Sequence, residues 1–185
     1  MKFLVWNSRG ERKAPLLRCL WWLIKKEDTE FIALTETRLS SDSSYSFLLQ
    51  FTPTYLGCFV PAQGSSGGLV LLWHHIYGQR YVRSVVPQSL HVCVDVNGCI
   101  WGLNIVYAST SYIERRKLWT VLTALCTSTI PQLFIGDFNV TLRLEHKRGG
   151  VPWIQTPAMT EIIHFIRQSS LLELNQFGYS YSWSN

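Results

Sequence analysis

Leu90-His91-Val92-Cys93-Val94-Asp95-Val96-Asn97-Gly98-Cys99-Ile100-Trp101-Gly102-Leu103-Asn104-Ile105-Val106 is two β-rich runs joined by an Asn-Gly pair. Val and Ile at this density favour extended chain. Asn-Gly between two such runs is the strongest short hairpin signal, because both residues accept the positive φ of a tight hairpin turn. An antiparallel pair in the middle of the chain decides the fold class. On either side of it helices and strands alternate, which alone would suggest a doubly wound parallel sheet. Such a sheet does not hold this hairpin comfortably. Two sheets packed face to face, with helices outside, hold both features.

Towards the N-terminus, Leu69 to Trp73 is an apolar run opened by Gly67-Gly68 and predicts a core strand. Ser40 to Ser46 is serine-rich and predicts a polar loop. Phe31-Ile32-Ala33-Leu34-Thr35 predicts a buried strand with Glu36 at its end, and Phe3-Leu4-Val5-Trp6 a first strand ending at Asn7. Between them Leu16, Leu17, Leu20, Leu23 and Ile24 fall at helical spacing in Pro15 to Lys26, with Pro15 tolerated in the first turn. Tyr81 to Val85 predicts a strand just before the hairpin.

Towards the C-terminus, Ser111-Tyr112-Ile113-Glu114 has the form of a capping box, and Leu118, Trp119, Leu122 and Leu125 mark the helix that follows. Thr156-Pro157 begins another helix, with Met159, Ile162, Ile163 and Ile166 as its apolar face, and Tyr179 to Trp183 predicts a further strand. Repeats and interior linkers are absent, so residues 1–185 are expected to form one domain. Tyr181-Ser182-Trp183-Ser184-Asn185 has the look of a strand beginning, which leads to the expectation of a domain incomplete at its C-terminus.

Composition sets the outer bounds. The chain has 185 residues and is 47% apolar, enough for a substantial core. Seventeen Lys and Arg against twelve Asp and Glu leave a net charge of +5, compatible with a polyanionic partner and equally with solvated surface charge. The basic residues cluster at Arg9, Arg12, Lys13, Lys25 and Lys26, and again at Arg143, Lys147 and Arg148. Five cysteines without a CxxC pair argue for a reducing compartment, no disulfide framework and no zinc site. Met1 to Trp6 is too short for a secretory segment and no apolar run reaches the length of a membrane span, so an intracellular soluble protein is expected. Trp21, Trp22, Trp73, Trp101 and Trp119 fall within predicted helices or strands and are expected to pack in the core rather than stack on bases.

The chemistry gathers at strand ends. Gln132-Leu133-Phe134-Ile135-Gly136-Asp137-Phe138-Asn139 is an apolar run, expected to be buried on both faces, that breaks at a glycine and ends in an acid and an amide two residues apart. Alternate side chains of an extended chain share a face, so Asp137 and Asn139 would project together, either as a site or as an ordinary Asx turn. Asn7, Glu36 and Tyr107 end three other predicted strands. Two carboxylates and an amide oxygen are hard ligands, suited to magnesium or manganese rather than zinc.

Taken in order, these residues carry a resemblance. Trp6-Asn7-Ser8-Arg9-Gly10, Leu34-Thr35-Glu36-Thr37, Val106-Tyr107-Ala108-Ser109 with Arg116 and Leu118-Trp119, and Gly136-Asp137-Phe138-Asn139 are similar to the successive motifs of the endonuclease/exonuclease/phosphatase superfamily, whose founding example is deoxyribonuclease I. Glu145 with Lys147 to Gly150, and Phe177-Gly178 with Tyr181 to Asn185, bring the chain nearest to the apurinic-endonuclease-like domain of plant LINE (non-LTR) retrotransposons.

The resemblance implies an α+β fold, a four-layer α/β sandwich of two mixed sheets flanked by helices. It implies Mg2+-dependent (Mn2+ possible) phosphodiester hydrolysis that nicks DNA, with the nucleus as the expected location. The counterpart of Glu36 binds the metal, and that of Asn7 supports the metal and nucleophile region. Counterparts of Asp137 and Asn139 position and activate the attacking water, and that of Tyr107 contacts the phosphate. The family also carries a late Asp and a terminal Ser-Asp-His strand, which this sequence does not contain, and none of its five histidines follows a Ser-Asp pair. Impaired nicking is therefore the expectation, with an inactive retroelement remnant that at most binds nucleic acid as the alternative. A phosphomonoesterase or phospholipid phosphodiesterase of the same superfamily is a third.

Overall fold

A computed structural model describes residues 1–10, 13–127, 129–142, 157–175 and 178. The expected strand at Tyr179 to Trp183, the Glu145 to Gly150 motif and the basic residues Arg12, Arg143, Lys147 and Arg148 lie outside these. The chain forms two compact units: Met1–Ala108 with Ile130–Asp137, and Ser109–Thr129 with Phe138–Asn185.

The first unit holds β1 (Phe3–Asn7), α1 (Lys13–Glu27), β2 (Phe31–Thr35), α2 (Ser41–Leu48), β3 (Tyr55–Val60), β4 (Leu69–His74), β5 (Gln79–Val86), β6 (Ser89–Val96), β7 (Cys99–Tyr107) and β8 (Gln132–Asp137). One sheet has the order β1-β2-β4-β3 and the other β5-β6-β7-β8. Each is mixed: β1 and β2 run parallel while β2–β4 and β3–β4 are antiparallel, and β7–β8 is parallel beside antiparallel β5–β6 and β6–β7. The β6–β7 hairpin forms as its sequence predicts, with Asn97 at φ 52° and Gly98 at φ 82° closing the turn.

Strand periodicity explains how the sheets meet. Phe31 and Ala33 of β2, with Leu69, Leu71 and Trp73 of β4, face Leu90, Val92, Val94, Leu103 and Ile105 of the other sheet in one buried core. The intervening residues Ile32, Leu34, Val70 and Leu72 point the other way, onto Leu16 and Leu20 of α1 and Phe47 of α2. Both central strands are therefore apolar from Phe31 to Leu34 and from Leu69 to Trp73, as strands covered on two sides must be. α1 ends where Asp28 turns left-handed (φ 50°), after Lys25 and Lys26 place positive charge at the negative end of the helix dipole.

Three local expectations change. Residues 41–48 form α2 rather than a loop, because Ser40 caps it by accepting the Ser43 N–H at 3.3 Å and Phe47 supplies a buried anchor. β3 lies in a stretch for which no strand was expected; Gly57 interrupts its apolar pattern, yet the space beside it is filled, a Cβ there meeting Leu72 Cδ2 at 2.7 Å and the Leu71 carbonyl oxygen at 3.0 Å. β8 is half-buried rather than enclosed on both faces, because it is the last strand of its sheet among the described residues.

The second unit holds α3 (Tyr112–Leu125) and α4 (Pro157–Gln168). Trp119 of α3 stacks on Phe165 of α4 at 5.4 Å between centroids and on Phe138 at 6.4 Å. Arg116 bonds Glu161 across the pair at 2.5 Å. Ser111 stands at the N-cap of α3 as expected but makes no side-chain cap bond; Glu114 instead pairs with Lys117 at 2.9 Å. Among the described residues, two mixed sheets packed face to face and four helices give the α+β sandwich class the sequence predicts.

Candidate active site

Four strand ends of the first unit bring the expected residues together. β1 and β2 are parallel neighbours, so Asn7 lies beside Thr35 and next to Glu36 in register. β7 and β8 are also parallel, and Tyr107 pairs with Asp137. β8 packs against β1 and β2 of the facing sheet, which carries Asp137 to Asn7. There the Asn7 amide Nδ2 donates to Asp137 Oδ2 at 2.8 Å, across 130 positions of chain. Asn7 Oδ1 accepts the Arg9 N–H at 3.1 Å, which fixes the amide orientation.

Close approach at this corner depends on Gly136. Its φ is 132°, and a Cβ there would stand 2.0 Å from the Val106 carbonyl oxygen. No side chain fits between the last residues of β7 and β8, so the Tyr107–Asp137 pairing requires glycine.

Glu36 sits in a hook with two left-handed residues, Glu36 and Arg38, both at φ 53°. Thr37 and Arg38 donate their N–H groups to Gly68 O (3.2 Å) and Gly67 O (3.0 Å), while Gly10 N–H donates to Glu36 O at 2.7 Å. Buried Ser8 adds its hydroxyl to Thr35 O at 3.1 Å. Non-glycine residues at positive φ store strain and persist where the surroundings over-determine them, often at functional sites. The Arg38 guanidinium donates to Glu36 Oε1 at 2.8 Å; the Glu36 side chain is 17% exposed and that of Arg38 46%. Composition gives no hint of this ion pair, which forms within the hook where both residues have positive φ.

Tyr107 joins the group electrostatically. Burial raises its pKa above the ordinary phenol value, the charges of Glu36 and Asp137 raise it further, and Arg38 opposes them. The phenol therefore keeps its proton at neutral pH, close enough to both carboxylates to feel their charge.

Asn139 belongs to the second unit, two residues past Asp137, with a left-handed backbone at φ 49°. His91 is buried and engaged with Ser89 and Asn104, at 2.9 and 2.8 Å.

Among the described residues no three His, Cys, Asp or Glu side chains converge as a closed metal cage. The donor set still fits a sparse hard-cation site. Glu36 Oε1 is bonded to Arg38 and its second carboxylate oxygen has no hydrogen bond among the described residues. Magnesium is commonly held by one or two carboxylates, with water and substrate oxygens completing its shell.

No protein-family model matches the chain, and no curated protein sequence is significantly similar to it. Solved structures do match. The chain is similar to the AP endonuclease LMAP from Leishmania major, with a TM-score of 0.65 and 13% identity over 90% of this chain and 66% of that one. It is similar to the catalytic domain of Xenopus laevis APE2, with a TM-score of 0.66 and 14% identity over 89% of this chain and 67% of that one. The 3′ phosphatase NExo from Neisseria, bound to a product DNA hairpin, gives a TM-score of 0.60 and 15% identity over 79% of this chain and 60% of that one. The shared feature is the fold, a deoxyribonuclease I-like α+β sandwich. The chain spans about two thirds or less of the length of these structures.

Proposed function

We propose that the chain is a divalent-cation-dependent phosphodiester hydrolase that nicks DNA, of the LINE retrotransposon endonuclease type and acting in the nucleus. The observation that carries this reading is the Asn7–Asp137 hydrogen bond beside Glu36 and Tyr107, four residues from four strand ends at one corner. The similarity to an AP endonuclease and to a DNA-bound phosphatase supports DNA as the substrate class.

Asp137, oriented by Asn7, accepts a proton from a water molecule and aligns it for attack on phosphorus. Tyr107 keeps its proton and donates a hydrogen bond to a phosphate oxygen as charge grows there. Asn139 assists in orienting the water or phosphate. Glu36 would hold Mg2+ or Mn2+, which supplies Lewis-acid stabilisation of the phosphoryl oxygens when bound. Arg38 neutralises Glu36 until that happens.

The test is nicking of supercoiled plasmid by the purified chain with Mg2+. Asp137→Ala and Glu36→Gln should each lower the rate about a hundredfold or more. A parent protein with no cleavage above a buffer control would overturn the enzymatic reading and favour the remnant. Cleavage that Asp137→Ala leaves unchanged would overturn the site.

A further inference from the structure

α1 carries aromatic surface that its packing does not use. Leu16 and Leu20 are buried, whereas Trp22 is 58% exposed and Trp21 is 41% exposed. This departs from the expectation that both tryptophans pack in the core: the leucines take the inward stripe and leave positions 21 and 22 outside it. Trp21 lies flat on Phe51 with centroids 5.0 Å apart, which fixes one of its faces. The Lys26 ammonium stands 4.7 Å over the Trp22 ring. Arg18 and Lys25 are exposed on the same helix.

Residues four, seven and eight apart share a helix face, so Arg18, Trp22, Lys25 and Lys26 form one strip, with Trp21 beside it. The strip covers about 12 Å at the helical rise. Glu27, 3.6 Å from Lys26, is the acid at its far end. Single exposed aromatics need no explanation. Two neighbouring rings among three cations offer flat π surface and positive charge together.

We infer that this face of α1 binds a single-stranded nucleic acid, bases stacking on Trp22 and on the edge of Trp21, and phosphates meeting Arg18, Lys25 and Lys26. Stacking platforms lined by cations bind strands whose bases are unpaired, and a duplex hides those faces. A membrane-seated helix would need a continuous apolar side towards the lipid; the apolar side of α1 faces the core. The adjoining cleft, about 360 Å³ and lined by Trp21, Lys25, Asp28, Glu30, Tyr55 and His74, carries two carboxylates. Beside its one lysine these acids leave it less favourable to phosphate than the open strip, so the strand follows the helix. α1 leads back from the end of the sheet that holds Asn7 to the opposite end, where β2 begins. The strip therefore stands apart from Asp137, and its binding is independent of whether the chain cleaves DNA.

The experiment is fluorescence anisotropy of a fluorescein-labelled oligothymidylate with the whole chain in EDTA. Trp22→Ala should weaken binding about tenfold, with Trp22→Phe retaining most of it. The Lys25→Ala/Lys26→Ala double variant should reduce the slope of log affinity against log salt by about 1.4, two phosphate contacts' worth. These side chains are exposed, and thermal melts matching the parent would exclude unfolding as the cause. The inference is overturned if the parent does not bind, if Trp22→Ala and the double variant bind like the parent, or if phosphatidylserine vesicles bind this face in preference to the oligonucleotide.

Discussion

At Gly136 the backbone leaves no room for a side chain. A Cβ would press on the Val106 carbonyl at 2.0 Å, and the φ of 132° is one that L-residues rarely adopt. Gly136→Ala should therefore destabilise the fold by about 3 kcal/mol or more, because the obstacle is backbone and cannot rotate away; urea unfolding measures it, and a loss below about 1 kcal/mol would contradict the packing described. Arg38 gives a prediction of different scale. Its ion pair with Glu36 is half-exposed on the arginine side and, like other such pairs, is worth at most about 1 kcal/mol. Removing the competing cation in Arg38→Ala should tighten Mn2+ binding by up to about fivefold, read by titration calorimetry without substrate. Weaker binding would mean that Arg38 orients Glu36 rather than competing for it. Residue types announce Asp137, Glu36 and Asn7, whereas the Asn7–Asp137 bond spans 130 positions and only the packing of β8 on β1 makes it.

Element behaviour follows from caps and packing partners. α2 has only eight residues and lacks the length to stand alone, so its start depends on Ser40 and its seat on Phe47. Ser40→Ala should cost about 1 kcal/mol in thermal unfolding, and Ser40→Asp or Asn should restore it. Ser41 to Ser46 is too polar to show an amphipathic period, and serine competes for turn conformations. That is why the sequence suggests a loop where tertiary contacts produce a helix. β3 was hidden for a related reason: Gly57 weakens the strand signal, and its value lies in the side chains of Leu72 and Leu48 that occupy the space. In contrast, β2 and β4 are legible from sequence because both their faces are apolar, one for each neighbouring layer.

For the whole molecule, the pH dependence of stability follows from groups held protonated by the fold. Burial pushes the Cys58 thiol from 9.0 up to about 12. Tyr55 is raised by burial and then by the charges of Asp28 and Glu30, and Tyr107 by burial and then by Glu36 and Asp137. Each group binds its proton more tightly folded than unfolded, so the unfolded chain loses protons first as pH rises. The associated stability is complete below pH 9.0 and falls progressively towards about pH 12. Urea midpoints measured from neutral pH into this window should decline, and Cys58→Ala should flatten the decline. A midpoint that holds steady across the window would contradict the burial of these groups.

Local sequence determined the two-sheet class, since the Asn97-Gly98 hairpin and the alternation of apolar runs depend on turn chemistry and periodicity within a few residues. It also named the polar strand ends, because a carboxylate or amide closing an apolar run stands out against its neighbours. Tertiary structure alone decided that Asn7 holds Asp137, that Arg38 covers Glu36, and that Trp21 and Trp22 stay outside the core. Those outcomes depend on segments far apart in sequence packing together, for Arg38 and Glu36 through the hook that Gly10, Gly67 and Gly68 hold, and no local propensity encodes that.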